Sequence, residues 1–251
     1  MEILLDKINE LKIPEKIKED IISFTSELKN QYKDSLLSIY MYGMATKNEF
    51  IEGVTSINLL VIVKELDIIQ IEKIASKANQ YKTKSSIIPR FVTEKNVLTG
   101  LDVFAIDYYE IQKEGINIFG KNVLEGEKIL EKDLIWQLER DTKAMRMKLI
   151  QSFWRNVEQP KILRNALYIN LRQLIKLLRV ALDIKKINYT NRNDVAEKGA
   201  TAFGYNKETL IEIINKRDTK DKLTKDQIIK LVKNLFQVIA KMDDYFDKWN
   251  K

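Results

Sequence analysis

The stretch Ser38–Val63, SIYMYGMATKNEFIEGVTSINLLVIV, decides how the rest of the chain is read. Ser38 to Tyr42 is a short apolar run closed by Gly43, and Ile57 to Val63 is a run of large apolar residues interrupted only by Asn58. Short runs rich in Ile, Val, Leu and Tyr, bounded by turn residues, predict two strands. The polar and charged residues fall in the loop between them. A strand, a glycine turn and a second strand with polar groups at its mouth is one way to build a phosphate site.

Working outward from it, residues 2–12 and 15–32 are expected to be helical. Pro14 separates them and suits the first turn of the second, whose apolar stripe is Ile17, Ile21, Phe24 and Leu28. Downstream, Ile68, Ile71, Ile74, Ala75 and Ala78 repeat with helical period to about Gln80. Ser85 to Val92 is an expected strand, at an edge or with a bulge because Pro89 has no N–H to give a ladder. Arg90 beside it is a candidate to face a phosphate, although an exposed strand arginine is the commoner case. Leu101 to Ile106 runs apolar and is expected as a strand covered on both faces, with Asp102 near its start. A helical turn over Tyr108–Lys113 and a final strand over Ile116–Phe119, stopped by Gly120, complete this half.

With those residues in place, the region of about 20–125 resembles the nucleotidyltransferase superfamily, the DNA polymerase beta-like fold with small members of the kanamycin nucleotidyltransferase type. The family signature is a Gly-Ser turn, about a dozen residues, then Asp-x-Asp on the next strand and a third carboxylate on a later one. Alternation puts the two aspartates on one face, where they hold magnesium ions that clamp a nucleotide triphosphate. Here Gly43 matches the glycine and Met44 stands where the serine belongs. Thr55-Ser56-Ile57-Asn58 stands where Ser-Asp-Ile-Asp belongs, so Ser56 and Asn58 replace both carboxylates, and the third aligns with Asp102. The resemblance thus makes Gly43, Met44, Ser56, Asn58 and Arg90 nucleotide-binding candidates and Asp102 the sole retained catalytic one. A hydroxyl and an amide do not offset the charge of Mg2+, so no metal site and no cofactor are expected.

Composition narrows the chemistry further. The 251 residues contain no histidine and no cysteine, which removes imidazole bases, thiol nucleophiles, disulfides and the usual zinc sites. The mixed charges of the first twenty residues do not form a signal peptide, and no apolar run approaches the roughly 18 residues that span a bilayer. A cytoplasmic protein without membrane contact is the expectation. The net charge of +7 is divided unevenly. Residues 1–125 hold 16 Lys and Arg against 19 Asp and Glu, and residues 126–251 hold 27 against 17.

From Gly126 the periodicity becomes helical almost throughout. Long helices are expected over about 129–156, 161–186 and 225–249, with shorter ones over 191–202 and 207–214, a charged loop over Arg217–Lys222, and a capping box at Thr224 and Gln227. Leu130, Leu134, Leu138, Met145 and Leu149 form the first buried stripe, and Trp136, Phe153 and Trp154 are read as additions to that packing. The fold class is therefore α+β, with an N-terminal nucleotidyltransferase-like mixed sheet with helices over 1–125 and an all-α bundle over 126–251. Arg164, Tyr168, Arg172, Lys176 and Arg179 recur at spacings of four, four, four and three, which lines them along one helix face. That basic row is an anion-binding candidate; a solvated, ion-paired helix face would carry the same pattern.

Three functions follow as expectations. The first is a nucleotidyltransferase-like pseudoenzyme that binds a nucleotide, polyphosphate, RNA or protein partner. The second is an active Mg2+-dependent transferase using Asp102 with Glu49 or Glu52 of the loop. The third is a scaffolding module whose cleft is filled by side chains.

Overall fold

A computed structural model describes residues 3–84, 87–220 and 222–249, with the backbone alone for 78–84. The chain divides into two compact units, residues 1–129 and 130–251.

The first unit is a four-stranded sheet in the order β3-β2-β1-β4, where β1 is Leu36–Tyr42, β2 Ile57–Val63, β3 Ile87–Thr93 and β4 Ile116–Gly120. β1 runs antiparallel to β2 and to β4, and β2 runs parallel to β3. A parallel pair needs a crossover, which helix α3 (Ile68–Lys84) supplies. β3 is indeed an edge strand, the place where Pro89 costs no ladder bond. Ser85 and Ser86, expected to start it, lie outside the described residues.

Both sheet faces are covered, which is why β1 and β2 are apolar nearly throughout. One face, with Ile39, Met41, Leu59 and Val61, packs on α1 (Leu5–Asn9) and α2 (Glu15–Tyr32) through Ile8, Ile17, Ile21, Phe24 and Leu28. The other, with Tyr40, Leu60 and Ile62, packs on α4 (Glu94–Leu98) and α5 (Ala105–Glu114) through Val97, Tyr108 and Ile111. The sheet therefore has helices on both of its sides. The expected helix over 2–12 is shorter, because Ile3 bridges to Phe119 and the Leu4 N–H donates to the Ile118 carbonyl.

A larger correction concerns residues 101–106. They form a turn and the start of α5, not a strand. The reason is visible in burial: Leu101, Ala105, Tyr108 and Ile111 turn inward at helical spacing, while Val103 and Phe104, which a covered strand would bury, are exposed.

The second unit contains five helices among its described residues: α6 (Glu131–Asn156), α7 (Pro160–Ile184), α8 (Arg192–Phe203), α9 (Lys207–Asp218) and α10 (Lys225–Trp249). Leu138, Met145 and Leu149 of α6, Leu167, Leu171, Leu174, Leu178 and Leu182 of α7, and Leu235, Ile239, Met242 and Phe246 of α10 are buried. Each contributes about 1.5–3 kcal/mol by leaving water. The caps follow the sequence signals. The Asn191 side chain accepts from the Asn193 and Asp194 N–H groups, Gly204 ends α8 at φ +75°, and Thr224 and Gln227 exchange reciprocal bonds. Trp136 and Trp154 do not pack as expected; Trp154 is 84% exposed, since its face of α6 points away from Met145 and Leu149. No described helix is long and apolar enough to cross a membrane.

Candidate functional site

The turn after β1 is fixed by Gly43. Its φ of +91° belongs to a region that side chains rarely enter, and a Cβ there would lie 2.9 Å from the Asn58 Nδ2. Asn58 opposes Tyr42 across the β1–β2 ladder, so the amide standing in the second aspartate position is laid directly over the turn glycine. Met44–Lys47 then forms a 3-10 turn, held by the Thr46 hydroxyl donating to the Gly43 carbonyl at 2.9 Å. Lys47 is nearly buried, at 2.6 Å from both Glu110 and Glu114 of α5. That cation ties the turn to the helix below. Thr55 accepts from the Ile51 N–H at 3.0 Å, closing the loop that delivers half-buried Ser56 to β2. Glu49 and Glu52 both lie in this loop, half-buried and exposed respectively.

Alternation on β2 puts Ser56, Asn58 and Leu60 on the sheet face covered by α5. Parallel pairing matches Leu60 with Arg90, so Arg90 faces the same way from β3. No carboxylate occurs on β3, whose sequence is IIPRFVT. The Arg90 guanidinium lies over the Phe104 ring at 5.4 Å and 3.5 Å from an Asp107 Oδ1, with the side chain 40% exposed. Tyr108, beneath them, has its hydroxyl pushed up chiefly by burial; the Arg90 charge opposes this and Asp107 and Tyr42 reinforce it. Tyr42, Asn58, Arg90, Asp107 and Tyr108 are thus one neighbourhood.

Asp102 is placed differently from its expected position. It sits exposed in the turn before α5, its carboxylate accepting from the Val103 N–H at 2.9 Å, rather than on a strand beside β2. The residues that do share the sheet face do not fit a magnesium ion: they offer a hydroxyl, an amide and a guanidinium. Among the described residues, no three His, Cys, Asp or Glu side chains are grouped as a metal would require.

An opening of about 630 Å³ in this unit lies along β4, away from that neighbourhood, and is lined by Tyr40, Thr46, Asn48, Gln112, Asn117 and Asn122 among others. Its inner polar groups serve the fold. The Asn117 Nδ2 donates to the Ser38 Oγ at 2.7 Å, and the Tyr40 hydroxyl donates to Asn122 at 2.6 Å while accepting from the Leu124 N–H.

In the second unit the basic row of α7 is graded rather than uniform. Arg172 is exposed, Arg164 and Lys176 are half-buried, and Arg179 is buried with its guanidinium 5.8 Å from the Tyr189 ring centroid. Two further arginines escaped the sequence reading. Arg217, expected in a charged loop, is buried in the last turn of α9. Its pKa is lowered to about 10, first by burial and then by the charges of Arg172 and Arg192, against which Asp218 acts. Arg192 of α8 lies 2.6 Å from that same Asp218. Arginines from three helices meet here, and no local spacing signals a meeting of that kind.

No family model and no curated protein matches the chain. Among solved structures, it resembles spectinomycin adenyltransferase AAD(9) from Enterococcus faecialis, determined with ATP and spectinomycin. The TM-score is 0.59 at 14% identity, over 88% of this chain and 99% of that one. The chain has the fold of a nucleotidyltransferase, a mixed sheet with helices followed by an all-helical region.

Proposed function

We propose that this nucleotidyltransferase-like chain binds a nucleotide or another phosphate-bearing ligand, RNA included, at the mouth of its sheet, and that it does not perform two-metal nucleotidyl transfer. One observation carries the reading. Where the family sets a serine and a row of carboxylates, the turn here carries Met44 and the sheet face presents Ser56 and Asn58, with the Arg90 guanidinium on the neighbouring strand. Two magnesium ions need several carboxylates to offset their charge, and a guanidinium repels them. The same guanidinium is suited to phosphate, which it meets with paired N–H donors.

The bound ATP of the spectinomycin adenyltransferase structure supports a nucleotide as the ligand type. In the helical unit, exposed Arg172 is the member of the α7 row with most access to an anion, half-buried Arg164 and Lys176 have less, and Arg179 is buried. A nucleotide or RNA ligand implies a cytoplasmic site of action.

Incubation with labelled nucleoside triphosphates, Mg2+ or Mn2+ and candidate hydroxyl acceptors is expected to give no transfer above the protein-free background. Metal-dependent transfer that disappears in Asp102→Asn would overturn the proposal and restore Asp102 to a catalytic role. Converting Ser56 and Asn58 together to Asp should not by itself recover metal binding, because both new carboxylates share their face with Arg90. Adding Arg90→Glu should permit it, measured as Mn2+ binding by calorimetry.

A further inference from the structure

We infer that the phosphate group bound at this mouth arrives free of divalent metal, and that Asp107 occupies its place on Arg90 until it does. The inference rests on the reading of the sheet mouth as a phosphate site.

The geometry of the Arg90–Asp107 pair carries it. Charge-assisted bonds between guanidinium and carboxylate close at about 2.7–2.9 Å and are commonly paired. Here the shortest approach is 3.5 Å, with the arginine 40% exposed and the aspartate 22%. An ion pair that is long and half-solvated contributes little and exchanges readily. What holds Arg90 in place is Phe104, whose ring lies 5.4 Å beneath the guanidinium and is itself partly exposed. A ring that attracts the cation in this way uses none of its N–H donors on a fixed acceptor, so an incoming dianion can take two of them. Asp107 stands at that edge as a weaker, tethered anion.

The preference for a metal-free ligand follows from charge. A magnesium ion bridging phosphate oxygens would approach Arg90 and a neutral Asn58 amide, with the one charge of Asp107 at that edge and no carboxylate on β3 to add to it. The complexed ligand also has less negative charge to offer the guanidinium. Both effects have the same sign, so divalent metal should compete with this site rather than complete it. A nucleotide and inorganic polyphosphate share the recognised group, and Phe104 with exposed Ile88 offers apolar surface that only a nucleotide base would use.

The test is calorimetric titration of the full chain with ATP and with tripolyphosphate, each in EDTA and in excess Mg2+. ATP should bind in EDTA and weaken by about tenfold or more in Mg2+, and Arg90→Gln should lose at least as much, as expected when one charge-assisted anchor of about 1.4 kcal/mol is removed. Asp107→Asn should tighten metal-free binding about threefold or more, because the competent state of Arg90 is no longer shared with a built-in anion. Arg90→Lys keeps the charge without the fork and should fall between wild type and Arg90→Gln. Equal affinity for ATP and tripolyphosphate assigns the site to polyphosphate; tighter ATP assigns it to a nucleotide. Binding that strengthens in Mg2+, or an Asp107→Asn affinity equal to or weaker than wild type, overturns the inference while leaving a nucleotide site standing. A folded wild-type protein that binds neither probe under either condition refutes the underlying reading instead.

Discussion

Arg90 and Arg217 each lie close to an aspartate, and the molecule treats them in opposite ways. Arg90 belongs to the half of the chain with an excess of acids, yet it is left half-solvated, braced by a ring and loosely held at 3.5 Å. Arg217 belongs to the strongly basic half, and there it is buried beside Arg172 and Arg192 with its pKa drawn down to about 10. Net charge would have assigned the ligand-facing arginine to the basic half. Accessibility and looseness of pairing assign it to the acidic one. A cation is available to a ligand when its existing partner is replaceable, and regional charge says nothing about that.

That contrast can be broken at either end. The largest effect is expected from Asp218→Asn. Asp218 lies 2.6 Å from Arg192, and it also counters Arg217. Removing it leaves two partly buried guanidiniums facing a third, which should cost about 2–3 kcal/mol in urea unfolding. A cost under about 0.5 kcal/mol would mean that the cluster holds further counter-charge and that Arg217 is less strained than its burial suggests.

Gly43→Ala should come next, at about 1–2 kcal/mol, from placing a side chain at positive φ and pushing the Asn58 amide aside. Because the obstructing atom is the end of a side chain, the fold should survive and nucleotide affinity should fall. Binding unchanged in a folded Gly43→Ala protein would detach the turn from the site. Arg90→Gln should leave the unfolding midpoint within about 0.5 kcal/mol of wild type, as an exposed residue does. If it proves as damaging as Asp218→Asn, the two arginines are alike and the distinction fails.

The smallest effect concerns how α8, which carries Arg192, is started. Hydrogen bonding from Lys198, then from Thr190, holds the Asp194 carboxyl below its usual range. A depressed folded value means that its stabilisation is present above the ordinary carboxylate pKa and is lost as pH falls through the lower folded one. Asp194→Asn should therefore be less stable than wild type near neutrality by about 0.5 kcal/mol, with the two unfolding curves converging in acid as the carboxylate becomes protonated in both states. Parallel curves at all pH values would show that the carboxylate acts only as a hydrogen-bond acceptor.

Much of this architecture was legible in the sequence, for identifiable reasons. β2 was read to the residue, because a strand covered on both faces is an unbroken apolar run with nothing to confuse it. Pro89 marked an edge, and Gly204 and Thr224 marked helix ends, because each does something that few other residues can. The stretch 101–106 misled for the same reason that β2 did not: a short apolar run reads alike as a covered strand or as the start of a helix. The consequence was a strand position for Asp102; Arg90 was legible as a phosphate candidate, and the pairing of Leu60 with β3 adds the face that it shares with Asn58. Trp154 misled differently. Size argues for burial, but the three residues Met147, Ile150 and Trp154 share the side of α6 opposite its core stripe, and their exposure is a property of the bundle. The Arg172–Arg192–Arg217 meeting was illegible in principle, for it joins residues about 45 positions apart that no window spans.

The Tyr40 hydroxyl, bonded to Asn122 and to the Leu124 amide from the middle strand of the sheet, has a consequence for how the chain comes apart. Gln112 reinforces it by donating to the Leu124 and Glu127 carbonyls, so the segment leading out of the first unit is fastened to that unit's interior at both ends. A segment held in this way does not fray on its own. Its amides should exchange with solvent only when the sheet itself opens, and a protease should find Gly126 closed to it for as long as β1 is intact. The connection between the two units is then timed by the lifetime of a strand rather than by the flexibility of a linker.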